Sequence, residues 1–143
     1  MADPSMCYRE LRSYKYQLTE DYAIAIGVAA EQDFDGSFLS LTSTGNLTVK
    51  NRYSWDGPSG PTIDTANFMR SSLVHDALYQ LMRERVLDYR VHREYTDDLL
   101  KRMCLEDGMS RFRAWYIHKM VHWFGEKNAR PKAKVPEEIG CVP

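Results

Sequence analysis

The stretch 71-SSLVHDALYQLMR-83 decides how this chain is read. A helix advances ~100° per residue. On that wheel Val74, Ala77, Leu78 and Leu81 fall in one stripe, as in a helix that buries one side. Beside the stripe sits a His-Asp dipeptide. His75 lies about 110° from the stripe's centre, and Tyr79 falls one turn later on the same side. Asp76 points nearly opposite the core. The pair is either a polar edge with local partners or part of a catalytic helix.

The neighbouring segments set this helix in a fold. It starts at Asp64 or Thr65, either of which can act as N-cap, and runs to about Arg85. Upstream, 53-YSWDGPSGPTIDT-65 carries Gly57, Pro58, Gly60 and Pro61, a density that excludes helix and strand. Before it, 14-YKYQLTEDYAIAIG-27 is rich in aromatic and β-branched residues with partial alternation. A clearer hairpin follows in 38-FLSLTSTGNLTVK-50, with Leu39/Leu41 and Leu47/Val49 alternating around Thr44-Gly45-Asn46. The polar segment 31-EQDFDGS-37 reads as a loop between these strand regions.

Downstream, a second helix is expected from about Arg93 to Glu106, with Gly108 as its C′ residue. The charged run 83-RERVLDYRVHRE-94 reads as a solvated connection. A third helix starts with Ser110 as N-cap and stops at Gly125. The expected fold class is α+β in one domain. Residues 1–52 form a small antiparallel N-terminal sheet, 53–66 a Gly/Pro loop, 67–125 a three-helix half and 126–143 a flexible tail.

Composition narrows the function. The chain has 143 residues, 43% apolar and 27% charged, which suits one globular core. A formal net charge of -1 gives no case for a nucleic-acid partner. The longest apolar run, Ala23 to Ala30, is too short to span a bilayer, and the N-terminus shows no signal-peptide pattern. Cys7, Cys104 and Cys141 read as free thiols, with neither disulfide nor zinc spacing.

Phase also separates two adjacent aspartates. In the second helix Thr96, Leu99, Leu100 and Met103 set the stripe. Asp97 falls at its edge, while Asp98 points away and can pair with Lys101 or Arg102. If the two helices pack antiparallel, Asp97 approaches His75. A carboxylate on one imidazole nitrogen fixes the tautomer and leaves the other as a general base. Asp76 would then be free for a hard cation together with loop carbonyls, a donor set that suits calcium.

WDGPSGPTIDTANFMRSSLVHDALYQLMR, together with EYTDDLLKRMCLEDGMSRFRAWYIHKMVHWFG, resembles a phage-encoded family of unknown function with an HDxLY helix. The likeness covers roughly residues 14 to 125. The order of Tyr and Gly/Pro loop, HDxxY helix and Asp-bearing second helix is also similar, more distantly, to the phospholipase A2 superfamily. That second resemblance implies His75 as the base, Asp97 as the residue that orients it and Tyr79 as a donor to Asp97. It also implies a calcium ion held by Asp76 and by carbonyls near Trp55, Gly57 and Ser59. The implied activity is calcium-dependent hydrolysis of a lipid ester, with a lipid or membrane surface as partner. The phage likeness equally allows a non-enzymatic virion or host-interaction protein, or a hydrolase of a cell-wall bond.

On the third helix His118 and His122 lie one turn apart. Without the glutamate of HExxH they read as packing or solvent-edge histidines rather than metal ligands. Ala114, Ile117, Val121 and Phe124 form the expected stripe. Trp115, Trp123 and Phe124 could form a lipid-facing or partner-facing patch, but helical spacing favours core packing.

Overall fold

The computed structural model describes residues 6–10, 16–55 and 65–131. Their order is β1 (Tyr8–Glu10), β2 (Tyr16–Leu18), β3 (Tyr22–Ala25), β4 (Phe34–Asp35), β5 (Leu39–Leu41), β6 (Asn46–Val49) and β7 (Ser54–Trp55). Four helices follow: α1 (Ala66–Arg83), α2 (Tyr89–Glu106), α3 (Arg111–Phe124) and α4 (Glu126–Ala129). The fold is α+β, with antiparallel sheets preceding the helices.

The strands form two sheets, β1-β2-β7 and β3-β6-β5-β4. The hairpin β5–β6 pairs Leu39 with Val49 and Leu41 with Leu47. All four side chains are buried, so strand alternation places one apolar face on the core. The turn closes with Gly45 N–H donating to the Thr42 carbonyl at 3.1 Å.

Two segments expected as loops contribute short strands. Ser54 and Trp55 pair with Gln17 and Tyr16. The breaking residues begin only at Gly57, so Tyr53 and Trp55 can bury their rings while the backbone still pairs. Phe34 and Asp35 pair with Leu41 and Ser40, because Phe34 packs on the core and draws its polar neighbours into register.

α2 begins one turn earlier than expected. The Asp88 side chain accepts from Arg90 N–H at 2.9 Å, an N-cap that starts the helix at Tyr89 and leaves only 84–88 as connection. Within that connection Arg85 has φ 64°. At its other end α2 stops at Gly108, whose φ of 93° suits glycine after a helix. Ser110 caps α3, accepting from Arg113 N–H at 3.2 Å. Thr65 takes the N-cap position of α1 without a side-chain cap bond, and Asp64 lies outside the described residues.

α1 and α2 run antiparallel. Arg70, near the start of α1, holds Asp107 and Glu106 at the end of α2 at 2.9 and 3.2 Å. The main core joins the sheet residues Leu18, Tyr22, Leu41, Leu47 and Val49 to Leu73, Val74, Leu78 and Leu81 of α1. A smaller cluster of Phe68, Leu100, Cys104, Ala114 and Ile117 ties α3 to the helix pair.

The segment expected as a flexible tail, 126–143, opens with α4, and its residues 132–143 lie outside the described residues. α4 buries Ala129 completely, and Arg83 Nη1 donates to the Asn128 carbonyl at 2.8 Å. No helix among the described residues is long and apolar enough to cross a membrane.

Candidate functional site

The antiparallel pair brings His75, Tyr79 and Asp97 into one buried cluster. His75 Nε2 stands 2.8 Å from Asp97 Oδ1, and Tyr79 Oη–H donates to the same oxygen at 2.6 Å. His75 and Tyr79 are one turn apart, and their rings lie 4.1 Å centroid to centroid. Both are buried rather than at the boundary, because α2 covers that side of α1. Asp97 itself is wholly buried.

An ionised carboxylate only accepts, so neutral His75 donates through Nε2–H and keeps its lone pair on Nδ1. Nδ1 faces Asp76, whose Oδ1 is 3.8 Å away, beyond hydrogen-bond distance. The imidazole lies between two carboxylates: it meets Asp97 as expected, while the Gly/Pro segment 56–64 that Asp76 was expected to face lies outside the described residues. Burial alone would lower the His75 pKa, but Asp76 and Asp97 together outweigh it and raise the value. Burial and the Asp97 carboxylate raise the Tyr79 phenol far above its usual range, so Tyr79 remains a donor.

Arg93 completes the cluster, and the sequence reading missed it. Its guanidinium lies 3.9 Å from Asp97 Oδ2 and donates through Nη2 to the carbonyls of Val121 (3.1 Å) and His122. Neither Asp97 Oδ2 nor Arg93 Nε has a hydrogen-bond partner among the described residues. Arg93 therefore offsets the Asp97 charge across i,i+4 while holding the last turn of α3. The available signal was Asp88 as N-cap, which places Arg93 inside the helix rather than in a solvated loop.

Gly125 fits against this cluster. A Cβ there would fall against the Val121 carbonyl oxygen and lie 2.7 Å from Tyr79 Oη. Its φ of -83° suits any residue, so the requirement is space rather than backbone freedom.

The expected cation ligands are placed less completely. Asp76 is half-exposed, with its side chain 41% accessible, and its nearest charged partner among the described residues is His75. A hard cation could use such a carboxylate. Trp55 is in strand register with Tyr16 rather than in a free loop, and its buried indole Nε1–H donates to Ser72 Oγ at 3.3 Å. That bond fixes Trp55 one helical turn before His75. Gly57 and Ser59 lie outside the described residues. Among the described residues, no group of three His, Cys, Asp or Glu side chains is arranged to hold a metal.

Asp98 departs from expectation. It meets His118 Nε2 on α3 at 2.7 Å rather than a surface cation on its own helix. His118 and His122 stack with their planes 10° apart. Cys104 is buried beside Ser71 Oγ, and burial raises its thiol pKa, so it serves packing.

No protein-family model, curated protein or solved structure matches the chain.

Proposed function

We propose that the protein is a phage-encoded ester hydrolase of the phospholipase A2 type, with His75 as general base. The observation that carries this reading is the 2.8 Å contact between His75 Nε2 and the buried Asp97 carboxylate. That contact selects the tautomer with a basic Nδ1. In this reading Nδ1 takes a proton from the attacking water, and Asp97 stabilises the imidazolium that results. Tyr79 and Arg93 hold Asp97 in place.

A calcium ion at this site would supply Lewis-acid stabilisation of the ester oxyanion. Asp76 is the described residue that would hold it, with carbonyls of the 57–59 segment as the remaining proposed donors. Neutralising Asp76 also removes negative charge from beside Nδ1. The imidazole then loses its proton at lower pH and is available as a base.

The test is hydrolysis of a phospholipid ester by the parent protein, His75→Ala, Asp97→Asn and Asp76→Asn, with calcium and with chelator. The reading expects losses of ~10²–10⁴-fold for His75→Ala. It also expects calcium dependence in the parent that Asp76→Asn abolishes. Equal rates in parent and His75→Ala would remove the base. Activity indifferent to calcium would remove the role of Asp76.

A second reading rests on the depth of the cluster. His75 is only 8% exposed, and the His75–Tyr79–Asp97–Arg93 chain links α1, α2 and α3. A virion or host-interaction protein could use the same cluster as a structural clasp. In that case His75→Ala destabilises the fold and the parent cleaves no ester.

A further inference from the structure

We propose that the outer face of α3 docks on an anionic lipid surface. This deepens the lipid-ester reading above by naming the surface on which the substrate would lie, but it rests on different residues.

The expected core packing of Trp115, Trp123 and Phe124 does not occur. Ala114 and Ile117 are buried on the inner face, whereas Phe112 is 76%, Trp123 65% and Trp115 46% exposed. Phe112, Trp115, Tyr116, Lys119 and Trp123 share one side of the helix, spread over roughly 100° opposite Ala114 and Val121. Phe112 and Trp115 also contact each other, with ring centroids 6.2 Å apart. A concentrated row of large exposed aromatics marks an interaction surface rather than ordinary solvent-facing chain.

Charge selects the occupant. Arg111 and Lys119 stand beside or on this face and α3 has no Asp or Glu, in a chain whose formal net charge is -1; Arg113 turns inward instead, to Thr65 Oγ1 at 2.7 Å and over the Phe68 ring. The face is therefore locally cationic in a slightly acidic protein. Tryptophan and tyrosine settle at the headgroup level of a bilayer, while Lys and Arg near the surface each gain about 1 kcal/mol from anionic lipid. Apolar aromatics flanked by cations are what an interfacial helix needs. A second copy of the same face would set cations against cations, which opposes an isologous contact. A nucleic-acid strand would also meet aromatics and cations, but its binders use grooves that track the backbone, and a single convex helix offers none.

The experiment is co-sedimentation of the full chain with phosphatidylglycerol/phosphatidylcholine vesicles and with phosphatidylcholine vesicles alone. Tryptophan emission is read in parallel. Trp55 is buried, so a blue shift on vesicle addition reports Trp115 and Trp123. The expected result is binding to the anionic vesicles with a blue shift. Trp115→Ala/Trp123→Ala should weaken binding by about tenfold or more, equivalent to ~1.4 kcal/mol. Lys119→Glu should weaken it in a salt-dependent way. All substituted side chains are at the surface of the helix, and unchanged thermal melting would show that the fold persists. His75→Ala should bind like the parent. Vesicle binding by the parent without hydrolysis overturns the enzyme reading and leaves this one standing. Hydrolysis of a soluble ester with no vesicle binding does the reverse. Equal vesicle binding by the parent and the double tryptophan variant, or binding of single-stranded DNA in place of vesicles, would overturn the lipid surface.

Discussion

Asp97 and Asp98 are neighbours on one helix, and each meets a histidine on a different helix at nearly the same distance, 2.8 and 2.7 Å. Their surroundings differ. Asp97 and His75 are buried, with Tyr79 and Arg93 also turned on the carboxylate. Asp98 has a 61% exposed side chain, although its partner His118, largely covered at 15%, stacks on His122. Equal geometry therefore does not mean equal energy. In the buried pair, removing one member strands a charge or donor in low dielectric; at the exposed Asp98 carboxylate, water replaces whatever is lost.

The largest effect follows from breaking the buried pair. Asp97→Ala leaves Nε2–H of His75 and the Tyr79 hydroxyl without their shared acceptor and the Arg93 guanidinium without its nearby counter-charge. The expected destabilisation is about 3–5 kcal/mol, read by urea unfolding. A change below about 1 kcal/mol would mean that solvent reaches the cluster freely. Gly125→Ala should come next, at about 1–3 kcal/mol, because the new methyl meets Tyr79 Oη and the Val121 carbonyl. It should also loosen the Tyr79–Asp97 bond, so adding Tyr79→Phe on top of it should cost less than Tyr79→Phe alone. Additive losses would place the strain elsewhere.

A smaller effect separates the pairs by pH. The His75 pKa is raised in the folded protein, so the protonated form is favoured on folding. The resulting stabilisation is fully present below the unfolded histidine value of about 6.5 and is lost as pH rises through the higher folded value. The difference in unfolding free energy between the parent and His75→Gln should therefore shrink as the buffer passes from mildly acidic to alkaline. If His75 is the base, any hydrolytic rate should rise over the same interval, and Asp76→Asn should move that rise to lower pH. A rate that falls across the interval would be incompatible with a neutral imidazole as the working form.

The sequence resolved these pairs unevenly, for physical reasons. Helical phase put Asp97 at the stripe edge and His75 and Tyr79 on one side, which is enough to bring them together once α1 and α2 are antiparallel. The Leu39–Val49 hairpin was equally legible, since its alternation has period two and one buried face. Arg93 was not, because the exposed Val91 and the surrounding charges obscure the first turn of α2, and only the Asp88 cap marks it. On α3 phase placed Ala114, Ile117 and Val121 on the inner side, where they pack, but it also expected Phe124, Trp115 and Trp123 in the core, and these stay outside. Asp98 was misassigned because a single helix cannot reveal that α3 brings His118 to its outer side.

That misassigned pair gives the smallest prediction and the sharpest control. Asp98→Asn should change stability by less than about 1 kcal/mol, because water takes the place of the pair at its exposed carboxylate. The small Asp98→Asn effect should diminish further as salt screens the pair over its ~10 Å Debye length at 0.1 M. The Asp97→Ala effect should persist at the same salt, because its charges are shielded from counterions by α1 and α2. Equilibrium unfolding of both variants across a salt series checks this. A loss at Asp98 as large and as salt-insensitive as that at Asp97 would mean that the α2–α3 contact, and not burial of the His75 cluster, is what the helix hairpin depends on.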